Sequence, residues 1–162
     1  MGKLERSIKN LAREFGFDIV GITTAESFPR DEKAALDRIE HGLMDGLGWY
    51  TKERVHKANR PALLVKGARS IISVAMSYNT GDPCPGKSGP TGKIARYAWG
   101  DDYHDLMKER LSKLVKALPA HVGHPVQTRI FVDDGPMNDR AAAERAGVGW
   151  FGKNSNVLTR SH

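Results

Sequence analysis

The chain has 162 residues, of which 40% are hydrophobic and 27% are charged. This composition excludes a wholly disordered or fibrous protein, and the length predicts one globular domain with a single core. No apolar run is long enough to cross a bilayer and the first residues form no signal-peptide pattern, so we expect a cytoplasmic protein without a membrane partner.

Basic residues outnumber acidic residues by 25 to 19, which gives a formal net charge of +6. This balance favours an anionic partner such as RNA, DNA or a phosphorylated cofactor, although a solvated basic surface accounts for it equally well. Cys84 is the only cysteine, so the chain alone can hold no internal disulfide, multi-cysteine zinc site or cysteine-ligated iron–sulfur cluster. It has no neighbouring histidine, which argues against a nucleophile.

The first half of the chain predicts two helices and two strands. Residues 4–15 have apolar side chains at helical spacing and are followed by Gly16, which predicts an amphipathic helix with a glycine at its end. Residues 17–22 are rich in β-branched side chains and predict a buried strand. A second helix is expected over residues 29–43, and residues 70–78 give the clearest strand pattern.

The second half begins with a loop, because residues 79–93 contain four glycines and three prolines. Asp102 or the aspartate before it is expected to cap the strongest helix of the chain. Residues 125–132 alternate as a strand, residues 137–146 predict a short helix, and residues 151–159 predict a last strand. Helices and strands mix without a regular strand and crossover-helix rhythm, so the sequence favours an α+β fold in one domain.

A glycine-rich segment over residues 147–154 matches a dinucleotide-binding pattern and nearly matches a P-loop, with Asn154 where that loop needs serine or threonine. Both motifs require a strand before the glycines and a helix after them, whereas here a helix precedes and an extended segment follows. We therefore interpret the segment as a turn whose N–H groups and Lys153 could contact a bulky anionic or amide-rich ligand.

Asp133 and Asp134 are candidates for acid chemistry, because they end a predicted strand where ligands commonly bind. Neighbouring strand residues point to opposite faces, so only one of the two is expected to face a pocket. A carboxylic acid that donates a proton near neutral pH needs its pKa raised by burial or by nearby negative charge. The alternative is that both aspartates cap the following helix.

Other polar side chains have both a functional and a structural explanation. Arg140, on the predicted short helix, is suited to clamping an anion and is equally a surface arginine. His104 lies in the first turn of the strong helix, where a ligand or general-acid role competes with simple solvation. His121 and His124 have metal-like spacing without a third ligand nearby, so we interpret them as part of a loop.

Six blocks of the sequence, in this order, resemble the N-terminal part of the epoxyqueuosine reductase family. They are FDIVGI at 17–22, GLGWY at 46–50, GARSIISVA at 67–75, RYAWGDDYH at 96–104, VDDGP at 132–136 and AERAGVGWFGKN at 143–154. The resemblance covers residues 4–158, which is nearly the whole chain.

This resemblance implies a cobalamin-dependent oxidoreductase that reduces the epoxide of epoxyqueuosine, at the wobble position of certain tRNAs, to give queuosine. It implies a sheet with flanking helices, similar to nitroreductase-like and cobalamin-processing folds and incomplete at its C-terminal end, against which base-off cobalamin lies. Residues 1–162 are then a single N-terminal cobalamin-binding catalytic domain.

The resemblance also implies roles for individual residues. Asp133 matches the aspartate that stands over the cobalt as general acid and protonates the oxygen released when the epoxide opens. The residues implied to lie near the reacting nucleoside are Asp102, Tyr103, His104 and Arg140. The residues implied to bind the corrinoid cofactor are Tyr97, Gly149, Gly152, Lys153 and Asn154.

The sequence departs from the family pattern in two places. Asp134 stands where relatives usually have serine or threonine, and this second carboxylate is able to raise the pKa of the acid if it turns inward. Relatives continue into a segment with 4Fe-4S ferredoxin motifs and then a helical-repeat domain, neither of which these residues contain. We therefore expect no turnover by this chain alone, and an exposed sheet edge that favours self-association.

Two other functions fit parts of the sequence. The first is a basic RNA-binding module without catalysis, in which Lys52, Arg54 and Lys57 contact phosphates and binding weakens with salt. The second is a flavin-binding nitroreductase relative, which would purify as a yellow protein. The response of cob(II)alamin spectra to the protein separates both from the cobalamin-dependent reductase.

Overall fold

The computed structural model describes residues 2–79, 89–90, 92 and 94–160. Its helices are α1 (Lys3–Glu14), α2 (Pro29–Glu40), α3 (Lys52–Ala58), α4 (Pro61–Leu64), α5 (Tyr103–Val122) and α6 (Asp139–Arg145), with a 3-10 turn at Arg96–Ala98. Its strands are β1 (Ile19–Thr24), β2 (Ser70–Ala75), β3 (Trp150–Phe151) and β4 (Val157–Leu158). Cys84 and most of the predicted loop 79–93 lie outside the described residues.

The main core lies between α1, α5 and the first sheet. α1 buries its apolar face and ends before Gly16, which adopts a left-handed φ of 87° as the sequence predicts. Asp102 caps α5 by accepting the His104 N–H at 2.9 Å, which confirms the predicted cap. The buried residues of this core are Ile8, Leu11, Ala12, Phe17, Val20, Leu114 and Leu118.

The first sheet pairs two strands that are distant in sequence. β1 runs antiparallel to β2, in a register that places Ile19 opposite Ala75 and Thr24 opposite Ser70. Gly21 is needed in β1 because a Cβ at this position would lie 2.4 Å from the carbonyl oxygen of Ala146. The C-terminal end of α6 is therefore packed directly on the strand.

Arg145 fixes α6 to the segment that follows β1. Its guanidinium donates hydrogen bonds to three backbone oxygens, those of Thr24 at 2.7 Å, Glu26 at 2.9 Å and Ser27 at 3.0 Å. The guanidinium carbon also lies 3.8 Å from the ring centre of Phe28. Phe28 forms a second core cluster with Ala141 and Ala142, so α6 is held by both polar and apolar contacts.

Residues 125–132 do not form the predicted strand, since the described residues contain no ladder there. The side chains of this segment are nevertheless used, because Val126 packs against the main core and Arg129 lies over the Phe131 ring. An alternating pattern marks a half-buried extended segment, but a strand also needs a neighbour with free backbone groups.

Three further boundaries differ from the sequence predictions. Residues 151–159 contribute to a hairpin rather than one strand, since β3 pairs with β4 and Ser155 turns the chain with a φ of 66°. The second helix stops at Glu40 because Gly42 takes a left-handed φ of 67°. His121 lies in the last turn of α5, where its Nδ1 is 3.0 Å from Ser7 Oγ, and not in a loop.

At the level of fold class, the described residues form a mixed arrangement of helices and two small antiparallel sheets. This agrees with the α+β prediction, while the nitroreductase-like detail stays a prediction. Among the described helices, none combines the length and the apolarity that a bilayer crossing requires.

Candidate functional site

Three separate parts of the chain meet around Tyr103, the first residue of α5. Its hydroxyl donates a hydrogen bond to Asp133 Oδ2 at 2.5 Å, which joins α5 to the loop before α6. Tyr97, in the 3-10 turn, packs edge-on against the Tyr103 ring with 6.3 Å between ring centres. The structure thus brings together side chains that lie 30 residues apart in sequence.

The hydrogen bond to Asp133 raises the pKa of Tyr103 to about 12, with burial as the second cause. The phenol is therefore protonated throughout the physiological range and acts as a fixed donor to one carboxylate oxygen. Since Tyr103 occupies Oδ2, the other oxygen of Asp133 is left to hold or release a proton.

Asp102 and His104 form a pair beside this tyrosine. Asp102 Oδ1 lies 2.7 Å from His104 Nδ1, and the His104 ring stacks on Tyr103 with 4.2 Å between ring centres. The pKa of Asp102 is lowered, first because the carboxylate accepts the His104 backbone N–H and then through the imidazole. An ionised Asp102 accepts from Nδ1–H, which leaves the lone pair of a neutral ring on Nε2.

Asp139 is a member of this group that the sequence did not single out. It is the first residue of α6 and is only partly exposed. Burial and, after it, the negative charge of Asp133 raise the pKa of Asp139 to about 6. An aspartate in the first turn of a helix is common at the protein surface, where its charge interacts favourably with the helix dipole. The sequence therefore gave no indication that Asp139 is partly buried.

Asp134 does not act as the second carboxylate that the sequence suggested. Its side chain pairs with Lys108 Nζ at 2.7 Å and accepts the Val132 backbone N–H at 3.2 Å. The ion pair with Lys108 is the main reason that the pKa of Asp134 is lowered. Neither loop aspartate caps α6, because Asn138 is the N-cap and accepts the Ala141 N–H.

The β3–β4 hairpin carries four of the residues for which the family resemblance implies cofactor binding: Gly149, Gly152, Lys153 and Asn154. The geometry of the turn itself accounts for three of them. A Cβ at Gly149 would lie 2.2 Å from the Leu158 carbonyl oxygen, and one at Gly152 would lie 2.8 Å from Asn154 Oδ1. Asn154 Oδ1 also accepts the Asn156 N–H at 3.2 Å. These three residues therefore shape the β3–β4 turn, and Lys153 is exposed beside them.

Arg140 links α6 to that hairpin by donating to the Ser155 carbonyl oxygen at 2.8 Å. Its guanidinium is exposed, so one hydrogen bond leaves most of its donors available to an anion. Among the described residues, Arg140 makes no hydrogen bond with Asp133.

Two exposed aromatic rings lie in the segment before α5. Tyr97, which packs against Tyr103, is 55% exposed, and Trp99, whose Nε1 donates to the Ile94 carbonyl oxygen at 2.9 Å, is 42% exposed. Two cavities among the described residues lie elsewhere, one at the end of α2 and one at the end of α1 beside α5. A ligand at the candidate site would meet the exposed Tyr97 ring.

A second surface combines aromatic and cationic groups near α3. Trp49 is 57% exposed, lies edge-on to Tyr50, and is covered by the Arg54 guanidinium at 5.0 Å. Arg54 also reaches the Gly135 carbonyl oxygen at 3.5 Å, in the loop that contains Asp133. This aromatic and basic surface thus adjoins the candidate site.

Three other basic residues of this segment, Lys52, His56 and Arg60, have acidic partners. The buried Glu32 accepts from His56 Nδ1 at 2.9 Å and from Arg60 at 3.4 Å, which ties α3 to α2. Lys52 pairs with Glu40 at 3.2 Å. Among the described residues, no group of three or more histidine, cysteine, aspartate or glutamate side chains is arranged to hold a metal ion.

Comparisons with known proteins converge on one family. The family model described as epoxyqueuosine reductase QueG, DUF1730, matches residues 59–134. The epoxyqueuosine reductase of Pseudomonas aeruginosa is 41% identical over 98% of this chain, which covers 44% of that protein. The chain spans about half the length of the curated relatives it matches.

Solved structures give the same result. A crystal structure of epoxyqueuosine reductase with a tRNA-Tyr epoxyqueuosine-modified stem loop matches with a TM-score of 0.79 and 31% identity, over 97% of this chain and 41% of that one. The Bacillus subtilis enzyme, with its aspartate catalytic loop swung out of the active site, matches with a TM-score of 0.72 and 29% identity, over 97% and 41%.

Proposed function

We propose that this chain, which matches epoxyqueuosine reductases over nearly all of its length, is the domain that binds cobalamin and donates the proton in epoxyqueuosine reduction. The single observation that supports this assignment best is the Tyr103–Asp133 hydrogen bond of 2.5 Å, which presents one carboxylate at an open surface. The substrate is then an epoxyqueuosine nucleoside in the anticodon loop of a tRNA.

The overall reaction removes the epoxide oxygen. Two electrons and two protons convert the epoxide to an alkene, and the oxygen leaves as water. When bound, cobalamin supplies the reducing electrons through cobalt(I), and the protein supplies position and a proton.

Asp133 is the proposed proton donor to the epoxide oxygen as the ring opens. Its Oδ2 accepts from Tyr103 in either protonation state, so Oδ1 is the atom that gives up the proton. Tyr103 is a positioning residue in this scheme, because its raised pKa keeps it from competing as the acid. The exposed place of Asp133 suits a substrate as large as a tRNA loop.

His104 and Asp102 are proposed to orient the nucleoside. Asp102 fixes the imidazole so that Nε2 is the free ring atom, and the stacked rings of Tyr103 and His104 offer an aromatic edge to a base. Arg140 is proposed to contact an anionic group of the substrate with the donors that Ser155 does not use.

The exposed side chains fit a large flat cofactor. Tyr97 presents apolar ring surface beside Tyr103, and the exposed Trp99 ring follows two residues later in the chain. Exposed aromatic surface of this kind suits one face of a corrin ring. Lys153 and Asn154, on the hairpin turn, are proposed to meet its polar amide groups. Gly149 and Gly152 act by permitting the tight turn rather than by contact with the cofactor.

The reaction test supplies electrons from outside, because a single cysteine cannot ligate an iron–sulfur cluster within this chain. The chain is mixed with chemically reduced cobalamin and an epoxyqueuosine-modified stem loop, and loss of one oxygen is followed by mass spectrometry. We expect conversion with the unchanged chain and with Asp134→Asn, and a loss of about 100-fold or more with Asp133→Asn. Equal rates for both variants would contradict the assignment of Asp133.

A second candidate function is RNA binding without catalysis, which the exposed Trp49 and its Arg54 partner favour. It predicts salt-sensitive tRNA binding that is the same with and without cobalamin, and that weakens when Lys52, Arg54 and Lys57 are neutralised. If the chain removes the epoxide oxygen from the modified stem loop, RNA binding without catalysis cannot be its complete function.

A further inference from the structure

Asn59 is a buried polar residue at the C-terminal end of α3, with 3% of its surface exposed. Its side-chain NH2 group donates to the Val55 carbonyl oxygen at 2.8 Å, one turn earlier in the helix. Its side-chain oxygen accepts from the Asn138 amide at 2.8 Å, and its backbone oxygen accepts the Phe28 N–H at 2.9 Å. Asn59 therefore joins the end of α3 to the residues that precede α2 and α6.

The other end of this link, Asn138, is also held by several hydrogen bonds. Its backbone N–H donates to the Ala58 carbonyl oxygen at 3.1 Å, beside the side-chain bond to Asn59. Its side-chain oxygen accepts the Ala141 N–H at 3.3 Å, so one amide both caps α6 and binds α3. Each of the two side-chain amides donates with its nitrogen and accepts with its oxygen, which fixes both in one orientation.

The loop that carries Asp133 ends at Asn138, and at its other end Val132 is buried. Asp133 has a left-handed φ of 51°, which is less favourable than the ordinary conformations for a residue with a side chain. The hydrogen bond from Tyr103 to Asp133 lies at an exposed surface, where water competes with it. The carboxylate therefore depends on fixed loop ends to stay beside Tyr103.

On the premise of the function proposed above, we propose that Asn59 is a positioning residue for the acid Asp133. By holding Asn138, it fixes the end of the loop so that the Asp133 carboxylate stays within hydrogen-bond distance of Tyr103. Because Asn59 is buried, it acts through Asn138 and not by contact with the substrate. Without this link the loop occupies other positions as well, and fewer molecules present the acid in the productive place.

The test uses the phenol of Tyr103 as a reporter of where Asp133 lies, in the chain alone. The hydrogen bond to Asp133 is the main cause that raises the pKa of Tyr103 from 10.0 to about 12. Asn138→Ser keeps an oxygen that caps α6 but lacks the amide that donates to Asn59. By tyrosine-ring NMR, we expect both this variant and Asn59→Ala to increase the ionised fraction of Tyr103 at about pH 11 by roughly threefold to fivefold.

Two controls separate positioning from a simple loss of stability. If Asn59 acts through Asn138, the variant with both changes should raise the ionised fraction of Tyr103 no further than the larger single change. Ile8→Val lowers stability in the main core, away from the link, and should leave this fraction unchanged. A fraction that Asn138→Ser leaves unchanged, or that Ile8→Val raises equally, would overturn the proposal. If Asn59→Ala fails to fold, Asn138→Ser and Ile8→Val still decide.

This readout needs neither cobalamin nor tRNA, so the role of Asn59 and the proposed function fail separately. With reductase activity present, Asn138→Ser should lower kcat per folded chain by roughly fivefold to tenfold. The KM for the modified stem loop should stay within about twofold, because a misplaced acid affects only the chemical step. An unchanged kcat alongside an increased ionisation of Tyr103 would contradict Asp133 as the proton donor and leave the role of Asn59 in place.

Discussion

Replacing Asp139 by asparagine should stabilise the protein at neutral pH, because burial disfavours its charged carboxylate. The folded state raises the pKa of this carboxyl from the ordinary 3.8 to about 6, so it binds more protons than the unfolded state between these values. Folding stability therefore falls as pH rises through this window, and the full penalty is present at pH 7. A shift of about two pKa units corresponds to about 3 kcal/mol as an upper value.

Urea unfolding of the unchanged chain and of Asp139→Asn at several pH values measures this penalty. We expect the variant to be more stable by about 2 to 3 kcal/mol near pH 7, with the difference disappearing below about pH 4. Asp134→Asn is the control with the opposite sign, because Lys108 lowers the pKa of Asp134. A variant at position 139 that is less stable than the unchanged chain at neutral pH would refute the reasoning.

Three further outcomes test other parts of the structure. Arg145→Lys loses the planar fork that binds three backbone oxygens after β1 and should lower the free energy of unfolding by about 2 to 4 kcal/mol, measured by urea titration. Gly21→Ala should cost about 1 to 3 kcal/mol, because its Cβ would meet the Ala146 carbonyl, and an unchanged Tm would contradict the close approach. In a tyrosine-ring NMR titration, Asp133→Asn should return the pKa of Tyr103 from about 12 toward its ordinary value, and no shift would contradict the hydrogen bond.

The parts of the fold that the sequence predicted depend on local signals. The helix before Gly16 and the helix capped by Asp102 both have a clear apolar face and a clear terminus. The two β-branched segments both form strands, and the structure shows that they pair with each other. Residues 125–132 have an equally good alternating pattern, but whether such a segment joins a ladder depends on a neighbouring edge that the pattern does not describe.

The candidate site was only partly predictable for a related reason. The aspartate, tyrosine and histidine at 102–104 and Asp133 were identified through motifs, and the structure brings them together. Asp139 was missed, since its burial arises only when α6 packs against the rest of the fold. The pairing of Asp134 with Lys108 likewise joins a loop to a helix 26 residues away, and no spacing rule anticipates it.

Cobalamin binding is the property on which the proposed function depends most. The direct measurement is a titration of cob(II)alamin with this chain, followed by visible absorption and by electron paramagnetic resonance, in which nitrogen ligation of the cobalt is seen as hyperfine splitting. The account predicts saturable binding with loss of the nitrogen splitting, as the lower base leaves the metal, and the same binding by Asp133→Asn. Spectra that stay unchanged at high protein concentration would contradict it.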